Sequence, residues 1–504
     1  MARRPKALGH RLACSHDQRT QRERDAPATG CAIIEAMKGG NFMRSFFPRL
    51  NRRNFFLRSS LTGALAAVPG VQRLAAAVAN SAPDSADVYT RIGLRPIINA
   101  SGTYTHLGGS LMPPEVIDAM NDAAKHYVPI RDLIEAVGDR IARLTGNEAA
   151  LVTTGAAGAI FVGTCACIGG DDPDKMKRLP FTDGMKNEVV VQKLHNTGWT
   201  RQCEAAGARV VEVEYKDQLE RAITGKTAMI YFLVADKHFG KFRDQLDAPG
   251  GKVSLEECIA ISKATRVPML VDAAAELPPP ENLSYYTKQG VDLVAFSGGK
   301  GLRGPQNAGL LLGRKDLVQM AVPYQSPYSG LGRDLKVSKE TMIGMLAAVE
   351  RYLKVDHQAE WDFWKSQIDL IKSEVEKVPG VETGYVPKEI TNHVPRLWVR
   401  WDEKAFNFSR DDCFKALQEG EPSVVALRTP LGVTIVTWMM APGEEVIVAR
   451  RLKEVIEKAR RTANVRASRS EAELASGFGM DNPIDEWAPH GDGLLRQYQS
   501  HSGQ

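Results

Sequence analysis

The sequence lacks most of the signatures that assign chemistry at a glance. Its seven cysteines, Cys14, Cys31, Cys165, Cys167, Cys203, Cys258 and Cys413, form no CxxC pair and there is no HExxH helix, so no metal site is expected. Cys165 and Cys167 fall in an apolar, helix-like run and read as small buried hydrophobes. Formal net charge is only +5 over 504 residues, and the basic excess gathers in the first sixty, so no nucleic-acid partner is expected. No internal repeat is evident. The weakly apolar run from Ser59 to Val71 falls well short of the roughly 20 residues that span a bilayer, so stable membrane insertion is not expected either. What remains is ordinary globular composition, 43% hydrophobic and 25% charged, with length for more than one domain and a full core without staples.

The front end reads as an address. From Met43 a basic start leads to the weakly apolar stretch and then to small residues ending Ala77-Val78-Ala79, the layout of an export signal. Arg52-Arg53 followed by Asn54-Phe55-Phe56-Leu57 resembles the twin-arginine motif, which points to that export machinery and a periplasmic or exported destination. Residues 1–42 are polar, basic and without hydrophobic periodicity, and read as a spurious or disordered extension, with the true start expected at Met43 or Met37.

Behind a Ser/Ala/Asp-rich linker, short apolar runs alternate with helical patterns. Strands are expected at 149–153, 188–192, 209–213, 228–234, 268–272, 292–296 and 308–313. Most are continuously apolar, as strands covered on both faces should be. Helices are expected at Ala157–Ile168, Gly198–Ala206 and Ser254–Ala264, the last opened by a Ser254/Glu257 capping box. The fold class is therefore α/β with a mostly parallel sheet. Periodic stretches at 337–355 and 358–377 then lead to a smaller α+β pattern beyond Pro379, with strands at "RLWVRW" and "VTIVTWM" and helices at Arg410–Gln418 and Glu444–Arg460.

Ligands of such sheets gather at the carboxyl edge, and three strand ends carry useful groups. "LVTTGAAGAIF" turns a strand into a helix through Thr154-Gly155-Ala156-Ala157, whose bare amides suit an anion; a tight strand–helix packing turn explains it equally well. Asp272 ends the apolar run "PMLVD", where a buried carboxylate needs a partner; an N-cap or a structural ion pair is the plainer account. Lys300 lies four residues past "DLVAF" in "FSGGKGLRG". A GxxxxGK[ST] phosphate loop would need glycine at Val294 and Ser or Thr at Gly301, and a GxSxG elbow on Ser297 would need glycine at Ala295. Taken together, a lysine for a Schiff base, an acid for a pyridinium nitrogen and an anion cradle are what pyridoxal 5'-phosphate requires. Enclosure would lower the lysine's pKa so that its amine can attack. Gly298, Gly299 and Gly301 read as making room for a flat ring.

The block "VDAAAELPPPENL…GVDLVAFSGGKGLRGPQNAGLLLG", with "RPIINASGTYTHLGGSLMPPEVIDAM", "GNEAALVTTGAAGAI" and "GMKNEVVVQKLHNTGW", resembles the bacterial selenocysteine synthase (seryl-tRNA selenium transferase) family of pyridoxal-phosphate enzymes, closest in character to its glucosaminate-phosphate ammonia lyase branch. The resemblance spans about residues 88–460 and implies an aspartate-aminotransferase-like fold type I, with a large seven-stranded domain and a small C-terminal α+β domain. It implies Lys300 as the cofactor lysine, Asp272 as the pyridinium partner, Gly155, Ala156 and Ala157 as the phosphate cradle, and Ser297 as a phosphate donor. His195 is implied as the residue stacked on the ring, with Trp199 as competitor and an ordinary loop histidine as the plain alternative. Arg303 and Gln306 are expected to reach phosphate, from their own or a neighbouring subunit, and Arg428 to clamp a substrate carboxylate. The domain expectation is an arm and large domain over 80–380, a small domain over 381–465 and a tail at 466–504.

The implied function is a pyridoxal-phosphate lyase performing α,β-elimination with ammonia release on an amino acid or amino sugar acid. Aminotransferase, racemase or seryl-tRNA selenium transferase chemistry are the alternatives. Ahead of residue 88, where the synthases carry a tRNA-binding domain, this chain reads as an export signal, and an exported protein would not meet charged tRNA. A homodimer or an assembly of dimers is implied, because sites of this fold usually lie between subunits. For the chain start, N-terminal sequencing of the precursor is expected to begin at Met43 or Met37; recovery of residues 1–36 would reject that reading.

Overall fold

The computed structural model describes residues 87–234, 253–386, 393–429 and 431–461. The expectations for the export signal, the chain start and the tail at 466–504 fall outside these residues.

The described residues contain β1 (Ile97–Ala100), β2 (Ala149–Thr154), β3 (Glu188–Gln192), β4 (Arg209–Val213), β5 (Thr227–Leu233), β6 (Met269–Asp272), β7 (Leu293–Ser297), β8 (Ala308–Gly313), β9 (Val381–Tyr385), β10 (Arg396–Trp401), β11 (Ser423–Thr429) and β12 (Gly432–Val436). The helices of eight residues or more are α1 (Pro114–Ala123), α2 (Ile130–Thr145), α3 (Gly155–Gly169), α4 (Leu255–Thr265), α5 (Asn282–Gln289), α6 (Lys339–Tyr352), α7 (His357–Val375), α8 (Arg410–Glu419) and α9 (Glu444–Arg461).

A seven-stranded sheet in the order β2-β8-β7-β6-β5-β3-β4 forms the large layer. Strands β7, β6, β5, β3 and β4 run parallel, and β8 runs antiparallel to both of its neighbours. Strands β3, β5, β6 and β8 are buried along their whole length, which is why their sequences are continuously apolar, apart from polar residues at the ends of β3, β5 and β6, rather than alternating. The core around them includes Val190, Ile230, Leu270, Leu293 and Leu311. Helix α3 is almost entirely enclosed, so its run Ile160-Phe161-Val162 needs no polar face. Helix α4 starts where Ser254 and Glu257 exchange hydrogen bonds, at 3.2 Å to the Glu257 amide and 3.0 Å to the Ser254 amide.

The second sheet is five-stranded, in the order β1-β11-β12-β10-β9. It corrects the expected domain boundaries at both ends. Strand β1 pairs in parallel with β11, so the arm that was assigned to the large domain contributes an edge strand to the small one. Helix α7 was also placed ahead of the boundary, yet its stripe Ile368, Ile371 and Val375 packs in the small core with Leu397, Val433 and Leu452. Periodicity marks an apolar stripe without saying which core will bury it. Among the described residues no helix is long and apolar enough to cross a membrane.

Candidate active site

The sheet order brings the sequence-predicted groups to one edge. Asp272 closes β6, Ser297 closes the adjacent β7, Gly155 follows β2, and His195 follows β3. Lys300 lies three residues past the end of β7.

Asp272 is 3% exposed, and both of its oxygens are engaged. The Tyr231 hydroxyl, reaching across from β5, donates to Oδ2 at 2.9 Å, and the Ala274 amide donates to Oδ1 at 3.0 Å. Burial pushes the carboxyl's pKa up; the Ala274 amide, Lys300 and Tyr231 hold it back. Lys300 shows the mirror image: burial pulls its pKa down, while Asp272 and Glu276 push it up. A lysine of that kind offers a neutral amine more readily than one in water, as a nucleophile needs.

The anion cradle is built by close backbone approach. Gly155 sits at φ 66°, a left-handed conformation that favours glycine. Gly309 on β8 lies against it so tightly that a Cβ there would stand 2.2 Å from the Gly155 carbonyl carbon and 2.7 Å from the Ala156 nitrogen. Register places Ser297, Gly309 and Thr153 side by side across β7, β8 and β2, so Ser297 is two strands from the strand that ends in the cradle. At the N-cap of α3, the Thr154 side chain makes no capping bond, and its Oγ1 is buried without a hydrogen-bond partner. Uncapped first-turn amides beside an orphaned hydroxyl fit a phosphate group.

His195 is 1% exposed; its ring meets the Phe232 ring edge-on at 4.3 Å, and Gln192 Nε2 lies 3.4 Å from its Nδ1. Trp199, the competitor for stacking, is 45% exposed. The lysine-loop glycines have a different role from the one expected. A Cβ would stand 2.8 Å from the Ala308 carbonyl at Gly298, 2.6 Å from Gln306 Cα at Gly299 and 2.5 Å from the Leu277 carbonyl at Gly301. They are small because neighbouring protein backbone fills the space, so making room for a ring is not what demands glycine at these positions.

Three further side chains named from sequence have contacts within the chain. Arg303 Nε donates to the Leu111 carbonyl at 3.1 Å and Gln306 Nε2 to the Thr105 carbonyl at 2.9 Å, so within their own chain both side chains engage the loop at 101–111. Arg428 lies on β11 in the small domain, its guanidinium 5.1 Å from the centre of the Phe414 ring.

Two contributions were missed from sequence. The loop after β1 is pinned by Asn99, whose Oδ1 accepts from the Ser101 and Gly102 amides at 3.0 and 2.9 Å. It then meets the lysine loop, where a Cβ on Gly109 would stand 2.8 Å from the Gly299 carbonyl. Arg396 of β10 acts electrostatically on Tyr104 in the same loop. The other missed group is Glu276, 5% exposed and near enough to Lys300 to influence its charge. Its place four residues after Asp272 was visible; its burial was not.

Residues 204–378 match the family model described as L-seryl-tRNA selenium transferase. The chain is 29% identical over 385 residues to D-glucosaminate-6-phosphate ammonia lyase of Salmonella typhimurium, covering 74% of this chain and 99% of that one. It is 30% identical over 381 residues to 5'-C-glycyluridine monooxygenase-decarboxylase of a Streptomyces species, covering 73% and 92%. A solved structure of D-glucosaminate-6-phosphate ammonia lyase superposes with a TM-score of 0.65 over 74% of this chain and 99% of that one. The chain belongs to the selenocysteine synthase-like family of pyridoxal-phosphate enzymes. Its fold is the type I fold of those enzymes, and its cofactor is pyridoxal phosphate.

For this family member, Tyr231→Phe removes one hydrogen bond to a buried carboxylate, worth about 1.5–3 kcal/mol. Loss of that donor raises the Asp272 pKa further, so less of the charged form is present to hold a pyridinium. Pyridoxal phosphate affinity is expected to fall roughly tenfold or more, read by titration of the visible absorbance band with circular dichroism as the folding control. An unchanged affinity would remove Tyr231 from the site.

Proposed function

We propose that the protein is a pyridoxal-phosphate lyase that eliminates a β-substituent from an amino acid or amino sugar acid and releases ammonia. The observation that carries this reading is the shared edge of Lys300, Asp272 and the Gly155 cradle, in a chain that aligns with nearly the whole of an ammonia lyase. Asp272 would hold the pyridine nitrogen, the amides of Gly155, Ala156 and Ala157 the phosphate, and Lys300 the aldehyde carbon. When bound, the cofactor supplies an electron sink beside the substrate's α-carbon. The Lys300 amine would be the base that accepts the α-proton at Nζ. Burial of the edge excludes water from that proton. His195, buried beside Phe232, supplies a flat face at the β3 end of the site.

A second reading follows from the 30% identity to a monooxygenase-decarboxylase, which uses the same family scaffold for oxygen-dependent loss of a carboxyl group. Product analysis separates the two. With candidate amino acids and amino sugar acids, free ammonia and a 2-keto acid in equal amounts, with no oxygen uptake, support elimination. Oxygen uptake with carbon dioxide release supports the second reading, and a requirement for an amino acceptor supports transamination. Lys300→Ala is expected to lose the visible band and all turnover; a purified wild-type protein that develops no band with pyridoxal phosphate would end the cofactor reading.

The export expectation and the homodimer belong to the same proposal. The twin-arginine-type signal supports an exported, cofactor-loaded enzyme, and the fold type supports a site shared between two subunits. Arg52→Lys with Arg53→Lys is expected to hold active protein in the cytoplasmic fraction, and the wild-type enzyme is expected to run as a dimer or larger on size exclusion. Unchanged export of the double variant, or activity confined to monomer, counts against the corresponding half.

A further inference from the structure

Glu276 is a buried carboxylate that the steps above leave without a task. Its backbone is fixed at both sides: the amide donates to the Ala273 carbonyl at 3.1 Å, and its own carbonyl accepts from Asn282 Nδ2 of α5 at 2.6 Å. The next residue, Leu277, presses its carbonyl into the space beside Gly301, 2.5 Å from where a Cβ would be. The residue following Glu276 is thus packed directly against the residue following Lys300. Two enclosed carboxylates, Asp272 and Glu276, therefore act on one half-buried lysine. On the α5 side, Glu276 also acts on Tyr286, whose hydroxyl burial holds protonated far above neutrality, so Tyr286 brings no charge of its own there. Tyr285, its neighbour on the same helix, is partly exposed.

The two carboxylates cannot do the same work in the loaded enzyme. Asp272 already accepts from Tyr231 and Ala274, and a pyridinium nitrogen would take up its remaining charge. Once Lys300 has accepted a proton at Nζ, its ammonium is a half-buried cation, and a cation withdrawn from water is disfavoured unless an opposite charge stands near it. Glu276 is the carboxylate left to oppose it.

We propose that Glu276 is a positioning residue that governs the proton on Lys300 Nζ, holding the lysine as an ammonium after it has taken the substrate's α-proton. No bond other than N–H changes at Nζ: the α-carbon loses a proton, the neutral amine gains it, and Glu276 neither gives nor takes one. This rests on Lys300 being the cofactor lysine.

The test uses Glu276→Gln and the full-length enzyme freed of cofactor. Formation of the visible band on adding pyridoxal phosphate is followed against pH, with borohydride trapping and mass spectrometry locating the adduct on Lys300. Removing a negative charge disfavours the ammonium, so the neutral amine appears at lower pH. The midpoint for cofactor attachment is expected to move down by about one pH unit or more. With substrate, kcat is expected to fall while KM holds, because the ammonium forms only after binding. Normal cofactor attachment with an unmoved midpoint overturns the proposal. If wild-type protein itself attaches no cofactor, it is the cofactor assignment that fails, a different result. Should Glu276→Gln not fold, Glu276→Asp is read instead: the charge is drawn back by one methylene, a smaller downward shift is expected, and no shift overturns the proposal.

Discussion

Holding a lysine and an aspartate in the same enclosed edge, each under the influence of the other's charge, is the constraint around which the large domain is arranged. Burial alone disfavours the charge on both groups, pushing the Asp272 pKa up and the Lys300 pKa down. Partial compensation keeps both usable. Tyr231 and Ala274 bind the two oxygens of Asp272, and the carboxylates in turn favour charge on Lys300. The parallel neighbours β5, β6 and β7 make this possible, since their ends carry Tyr231 close behind the edge, Asp272 at it and Lys300 just beyond. Without its partner each group would feel only the burial, which works against its charge.

Around that pair the distances are kept by backbone pressed on backbone. Gly309 against Gly155, Gly301 against Leu277, Gly299 against Gln306 and Gly109 against Gly299 form a chain of contacts in which no side chain could be inserted. Close packing of this kind moves as a unit, because a methyl group has nowhere to go. The cradle, the lysine loop and the loop at 101–111 are therefore mutually located, and a change at one glycine would be felt at the others.

Much of this was legible because the determining signals are local. Continuously apolar runs located all seven strands of the large sheet to within a residue or so, and the exchange between Ser254 and Glu257 opened α4 as expected. Asp272 and Lys300 stood out as charged groups just past apolar strands. Assignments that depend on which distant segment supplies the partner could not be read. Strand β1 is four residues long and contains Asn99, so only its pairing with β11 makes it a strand. The stripe on α7 was visible, but its burial in the small core was not. The glycines of the lysine loop were noticed for the right reason, close approach, while the approaching group proved to be protein backbone.

Which bond of a substrate breaks is a matter of orientation, and the groups that orient it must come from outside the edge pair. Proton removal at Nζ needs only Lys300 and its countercharge, whereas loss of a carboxyl group or of a β-substituent requires the chosen bond to be aligned with the electron sink. The loop at 101–111 is placed to influence that alignment: Asn99 fixes its start beside the small sheet, Gly109 joins it to the lysine loop, and Arg396 acts on its Tyr104. Arg428, lying over Phe414, belongs to a different face of the small domain's packing. Lys300, Asp272 and the cradle would serve any reaction that begins at the α-proton, so the choice among such reactions falls to the groups around them.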